Sequence, residues 1–142
     1  MRGYIEPEPE PEPAARCVLV ADDDPDMREE VARALRDNGI AVIAVDSGDQ
    51  LVDYLGRCAT FGGRFLVPDV VVSDIRMPGY SGLEVLKAFR EAHWNTPIIL
   101  MTAFGDHETH EEARQLGAVA TFDKPFDSDD LLTAILWACA AA

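Results

Sequence analysis

Five short apolar runs punctuate this chain, at 17–21, 40–45, 69–73, 97–102 and 118–123. Short continuous apolar runs bounded by turn-forming and charged residues read as buried β-strands. Between them the apolar period changes. Met27, Val31, Ala34 and Leu35 recur at helical spacing, with Asp24 as N-cap, Pro25 at the first helical position and Gly39 where a stop is expected. Ser47 and Gln50 have capping-box spacing ahead of Leu51, Tyr54, Leu55 and Cys58, and Ser81 and Glu84 repeat it ahead of Leu83, Leu86 and Phe89. Asp106 caps a fourth helix that runs to about Leu116 and stops at Gly117; Asp127 caps a fifth, whose stripe is Leu131, Leu132, Ile135 and Leu136. Strands alternating with helices imply right-handed βαβ units. The fold class is α/β, a doubly wound parallel sheet of five strands with five helices covering both faces.

Two stretches are less regular. The connection at 59–68 contains Phe61-Gly62-Gly63, and its Phe65 and Leu66 are expected to tuck against the domain. The helix at 106–116 is polar almost all round, through His107, Glu108, His110, Glu111, Glu112, Arg114 and Gln115. It should bury little and shift easily.

Composition narrows the possibilities. The chain has 142 residues, 48% of them apolar, and a net charge of −14, which fits one globular domain and argues against direct nucleic-acid binding or an anionic membrane surface. Residues 6–13 repeat Glu-Pro four times, so 1–15 are expected to form a disordered acidic tail and 16–142 the folded domain. Three cysteines, Cys17, Cys58 and Cys139, fall in apolar segments and read as free thiols of a reducing cytoplasm, not as a disulfide framework. The N-terminus lacks the basic-then-apolar pattern of a leader, and the apolar stretch 131–142 would span only about 18 Å as a helix. Membrane association is not expected.

Chemistry gathers where the runs end. Val70–Ser73 leads into Asp74, which is followed by Ile75-Arg76-Met77-Pro78-Gly79. Val18–Ala21 leads into Asp22-Asp23-Asp24, Ile98–Met101 into Thr102, and the fifth run into Lys124. Open parallel sheets present their ligand sites at the carboxyl ends of strands. Asp22 and Asp23 would supply oxygen ligands for Mg²⁺, while Asp74 shares the metal and offers its other oxygen as a nucleophile. Lys124 would supply an ammonium, and Thr102 a hydroxyl, to the phosphoryl oxygens. Singly, each has a plainer role: Asp24 as a helix cap, Asp74 as a turn initiator, Lys124 as a surface lysine. Their joint position at four strand ends is what points to phosphoryl chemistry.

The motifs Asp22-Asp23-Asp24-Pro25, Ser73-Asp74-Ile75-Arg76-Met77-Pro78-Gly79-Tyr80-Ser81-Gly82-Leu83-Glu84, Thr102-Ala103 and Asp123-Lys124-Pro125-Phe126 resemble the response-regulator receiver domain of two-component signalling. The resemblance covers about residues 16–140. It implies a flavodoxin-like sheet of order 2-1-3-4-5 and a signalling phospho-acceptor that catalyses only its own phosphotransfer and dephosphorylation. Asp74 would accept phosphate from a sensor histidine kinase or a phosphotransfer protein. Asp23 would bind Mg²⁺ directly, Asp22 through a water, and Arg76 by its backbone carbonyl; Thr102 and Lys124 would hold the phosphoryl oxygens. A cis Lys124-Pro125 bond is also implied. A downstream protein or an attached output domain would be the target, and a homodimer is possible. Trp137 and the apolar residues after it would either pack in the core or face such a partner.

In one respect the chain departs from the family pattern. An aromatic residue commonly precedes the lysine by three positions, and here that position is Thr121. Phe122 beside it faces the opposite side of a strand. Readout is therefore expected through the segment after Thr102 and the polar helix at 106–116. Arg76 and Phe104, each two residues beyond a site residue, are expected to border the pocket and slow hydrolysis.

Two other functions fit parts of the pattern. Asp22 and Asp24, two apart after a strand, resemble the haloacid-dehalogenase arrangement, with Asp22 as nucleophile and Asp24 as acid/base; that leaves Asp74 unexplained. A receiver-like module that binds partners without being phosphorylated is the third. No glycine loop ending in Gly-Lys-Ser/Thr is present, so nucleoside-triphosphate chemistry is not supported.

Overall fold

The structure, a computed structural model, describes residues 16–103 and 105–141; the expected tail at 1–15 lies outside them. The elements run β1 (Cys17–Ala21), α1 (Pro25–Arg36), β2 (Ala41–Val45), α2 (Gly48–Phe61), a 3-10 turn (Gly62–Arg64), β3 (Val70–Asp74), α3 (Gly82–Glu91), β4 (Ile98–Thr102), α4 (His107–Gln115), β5 (Ala120–Asp123) and α5 (Ser128–Ala141). All strand pairs are parallel and the order is β2-β1-β3-β4-β5. The strand order reverses between β1 and β3, and such a switch point opens a crevice at the carboxyl edge.

Alternation along the strands splits the core in two. Val18, Val20, Val70, Val72, Ile99 and Met101 face α1 and α5, meeting Val31, Leu35, Leu131, Ile135 and Ala138. Leu19, Ala21, Val71, Ile98 and Leu100 face the other way, onto Leu51 and Leu55 of α2, Val85, Leu86 and Phe89 of α3, and Ala113 of α4. Burial on both faces explains why these strands read as unbroken apolar runs.

Helix ends follow their capping residues. Asp24 accepts from the N–H groups of Asp26 and Met27 ahead of α1. Ser81 and Glu84 make a complete reciprocal capping box on α3. At α2 the Gln50 N–H donates to Ser47 Oγ, but the returning arm of Gln50 accepts from Asp46, one residue earlier than a full box would require. Gly39 and Gly117 take the left-handed conformation (φ 75° and 87°) that ends α1 and α4.

Several expectations need correction. Ile40, Asp69, Pro97, Ala118 and Val119 lie outside the strands, and Asp74 is the last residue of β3, not the one after it. Phe65 does pack, edge-on to Tyr54 at 6.0 Å, but Leu66 stays 61% exposed; its carbonyl accepts from the Tyr54 hydroxyl instead. On α5 the buried stripe is Leu131, Ile135 and Ala138, while Leu136 and Trp137 point outward, Trp137 being 64% exposed. That helix is apolar on most sides, so periodicity alone did not locate its inner face. Cys17, Cys58 and Cys139 are free, the first two buried and the third half-buried. No helix is long and apolar enough to cross a membrane among the described residues.

Candidate functional site

Asp22 and Asp74 meet across the crevice between β1 and β3. Asp22 is fully buried and Asp74 nearly so, while Asp23 beside them is exposed. One carboxylate oxygen from each of Asp22, Asp23 and Asp74 lies within 4.8 Å of the others. The Lys124 ammonium reaches in from the end of β5, donating to Asp22 Oδ2 at 2.8 Å and to Asp74 Oδ2 at 3.4 Å. Thr102 ends β4 with its side chain buried, and its backbone carbonyl accepts from the Lys124 N–H at 2.8 Å. The expected site residues therefore do converge at one edge.

Local structure holds each in place. Asp22 Oδ1 accepts from the Asp24 N–H, and the Asp22 carbonyl accepts from Arg28 Nη1 at 2.8 Å. Asp74 Oδ1 accepts from the Arg76 N–H at 3.4 Å, with the Arg76 side chain exposed. Gly82 lets α3 approach the end of β3, because a Cβ there would stand 2.6 Å from the Asp74 carbonyl oxygen. Lys124-Pro125 is cis, as the resemblance implied.

The charges are strongly interdependent. Burial pushes the Asp74 carboxyl up to about 6; Lys124 pulls it down and Asp22 pushes it further up. For Lys124, burial favours loss of the proton, but the hydrogen bond to Asp22 and the charges of Asp74 and Asp22 outweigh it and hold the ammonium above its ordinary range. Three clustered carboxylates served by one ammonium still carry excess negative charge. Hard oxygen donors in excess suit a hard divalent cation.

Asp24 takes no part in this cluster, since its side chain caps α1. That removes the acid/base residue that the dehalogenase-like reading needs. Phe104 lies outside the described residues, so its expected place beside the pocket has no structural counterpart here. Thr121 is half-buried, and Phe122 packs on the opposite, α1–α5 side with its ring 5.7 Å from Phe126.

Three contacts between elements had no sequence signal. Arg28 reaches the carbonyl of Asp22 six positions back. Arg90 of α3 donates to the Leu116 and Gly117 carbonyls at the end of α4. His110 Nε2 lies 2.8 Å from Asp123 Oδ1, tying α4 to the residue before Lys124. Each joins two elements, whereas sequence periodicity reports only one at a time.

Comparison with known proteins agrees with the geometry. A family model described as "Response regulator receiver domain" matches residues 18–136. The chain is 36% identical over 116 residues to the DNA-binding transcriptional regulator NtrC of Klebsiella pneumoniae, covering 82% of this chain but 23% of that protein. It is 30% identical over 118 residues to sporulation initiation phosphotransferase F of Bacillus subtilis, covering 83% of this chain and 89% of that one. Among solved structures, the Francisella response regulator 1452 receiver domain superposes with a TM-score of 0.78 at 28% identity, covering 89% of this chain and 98% of that one. The chain thus spans about a quarter of the length of the NtrC-type regulators it matches.

Proposed function

Because the chain belongs to the response-regulator receiver family, whose function is phosphorylation-dependent two-component switching, we propose that Asp74 is its phospho-acceptor. The observation that carries this reading is the Lys124 ammonium bridging Asp22 and Asp74, with Asp23 within reach of both. An Asp74 oxygen attacks the phosphorus of a phosphohistidine. The P–N bond breaks, its electron pair stays on the imidazole nitrogen, and an aspartyl phosphate results.

Asp23 and Asp74 would hold Mg²⁺ directly, Asp22 through a water and Arg76 by its backbone carbonyl. Bound there, Mg²⁺ offsets negative charge on the transferring group. Lys124 then moves from countering Asp22 to holding a phosphoryl oxygen, and Thr102 donates its hydroxyl to another. These residues catalyse only the chain's own phosphotransfer and dephosphorylation. The added charge and acceptor oxygens bias a two-state equilibrium towards the form with both groups drawn inward.

The folded unit would be the whole of 16–142, working in the cytoplasm beside its phosphodonor, a sensor histidine kinase or a phosphotransfer protein. Its target would be a downstream protein or an attached output domain, the latter in keeping with the NtrC-type relatives. Self-association as a homodimer is a further outcome open to phosphorylation.

Intact-mass analysis after incubation with acetyl phosphate and Mg²⁺ tests the assignment. The parent gains one phosphoryl group and Asp74→Asn gains none. A phosphoryl group on Asp74→Asn would overturn it.

A further inference from the structure

The contacts of α4 are unusual in their distribution. Its sole buried residue is Ala113, so little apolar surface holds it to the sheet. A cavity of about 250 Å³ lies between it and β5, bordered by His110, Arg114 and Thr121. Its C-terminal end is fastened by Arg90, through the carbonyls of Leu116 and Gly117 at 3.0 Å each. Towards its N-terminal half, one side-chain tie to the sheet is His110 Nε2 to Asp123 Oδ1, at 2.8 Å.

That tie stands against the site. Asp123 is the register partner of Thr102 and the residue before Lys124. Gly105 is wedged between them: a Cβ there would meet Asp123 Oδ1, and would stand 2.6 Å from Thr102 Cγ2 and 2.7 Å from His110 Nε2. Asp123 and His110 thus crowd the same Gly105 as Thr102, and Asp123 is joined to Lys124 through the peptide bond, so movement of either site residue bears on the pair.

We propose that His110 and Asp123 are a positioning pair that holds the N-terminal half of α4 against the strand ends carrying Thr102 and Lys124, and that parts when those two residues are drawn towards a phosphoryl group. Arg90 keeps the far end attached, so α4 swings instead of detaching. This rests on Asp74 being the acceptor. Both members of the pair are partly exposed, which leaves the bond weak enough for a local event to break.

Amide hydrogen exchange of the full chain, read by mass spectrometry over 107–112 and 114–117, tests it. Without phosphate, His110→Ala should exchange about fivefold faster than the parent over 107–112 and unchanged over 114–117. His110→Gln, whose amide can still donate to Asp123, should stay near the parent. After acetyl phosphate and Mg²⁺, the parent should approach the His110→Ala rate, and His110→Ala should change little further. Equal exchange over 107–112 in parent and His110→Ala, both without phosphate, would overturn the tether. So would a parent that carries phosphate by intact mass yet keeps slow exchange there. Should His110→Ala fail to fold, Asp123→Ala takes its place with the same expected outcomes. Absence of phosphate on the parent would instead sink the acceptor assignment, and the phosphate-free comparison would still decide the tether.

Discussion

The Lys124 ammonium and the Asp22 carboxylate meet at 2.8 Å although 102 positions separate them. Asp22 has no exposure to solvent, and only 14% of the Lys124 side chain is exposed. Removing one partner of such a pair leaves a buried charge uncompensated. Lys124→Ala should therefore destabilise the metal-free domain by about 3 kcal/mol. Excess Mg²⁺ should recover part of this, because it supplies the missing positive charge. Urea unfolding with and without Mg²⁺ measures both; an equal deficit in the two conditions would contradict the metal site.

Asp74→Asn should stabilise the metal-free domain while abolishing phosphorylation. Burial holds the folded-state carboxyl near 6, above its unfolded value of 3.8. The folded form then binds this proton more tightly, so stability falls as pH rises from about 4 through 6. Asparagine removes that cost. The gain should be on the order of 2 kcal/mol at pH 8 and should vanish near pH 4. Denaturation midpoints across pH in EDTA provide the check, and a gain independent of pH would refute the cause.

Gly82→Ala should act on Asp74 through the backbone. The added methyl would press on the Asp74 carbonyl oxygen at 2.6 Å and on Leu100 Cδ2 at 3.1 Å. Overpacking of this kind costs about 1–3 kcal/mol. Because the pushed atom belongs to Asp74, the initial rate of labelling by acetyl phosphate should fall as well. Lost stability with an unaltered rate would mean that the strand absorbs the strain elsewhere.

Ser81→Ala is the counterpart that separates stability from function. It removes the hydroxyl that accepts from the Glu84 N–H at 3.1 Å. The expected loss is about 1 kcal/mol of stability, seen in thermal or urea unfolding. Labelling of Asp74 at a temperature where the variant is folded should be unchanged.

How much of this was readable in the sequence depends on how local each feature is. Val70, Val71 and Val72 announce a strand buried on both faces, and Ser81 with Glu84 announces a helix start, because those signals lie within a few residues. Asp22, Asp74, Thr102 and Lys124 could be read as neighbours because each closes or directly follows a strand and a parallel sheet brings such ends to one edge. Contacts between elements were not. Nothing in the spacing of His110 and Asp123, or of Arg90 and Leu116, says that they touch. Periodicity gives the face of a helix but not the partner it meets. On α5 even the face was ambiguous, since Leu136 and Trp137 are as apolar as the buried Ile135.

The sheet order has a consequence for behaviour under stress. β1 is paired on both sides, so β2 and β5 form the two borders of the sheet. β5 is the shorter and ends in a charged aspartate, whereas β2 is a five-residue aliphatic ribbon, Ala41-Val42-Ile43-Ala44-Val45. An uncharged aliphatic border is a template for pairing with another molecule. If crowding or partial unfolding drives this protein to aggregate, polymerisation should begin at β2, and a lysine in place of the exposed Ala44 would be the gatekeeper that resists it.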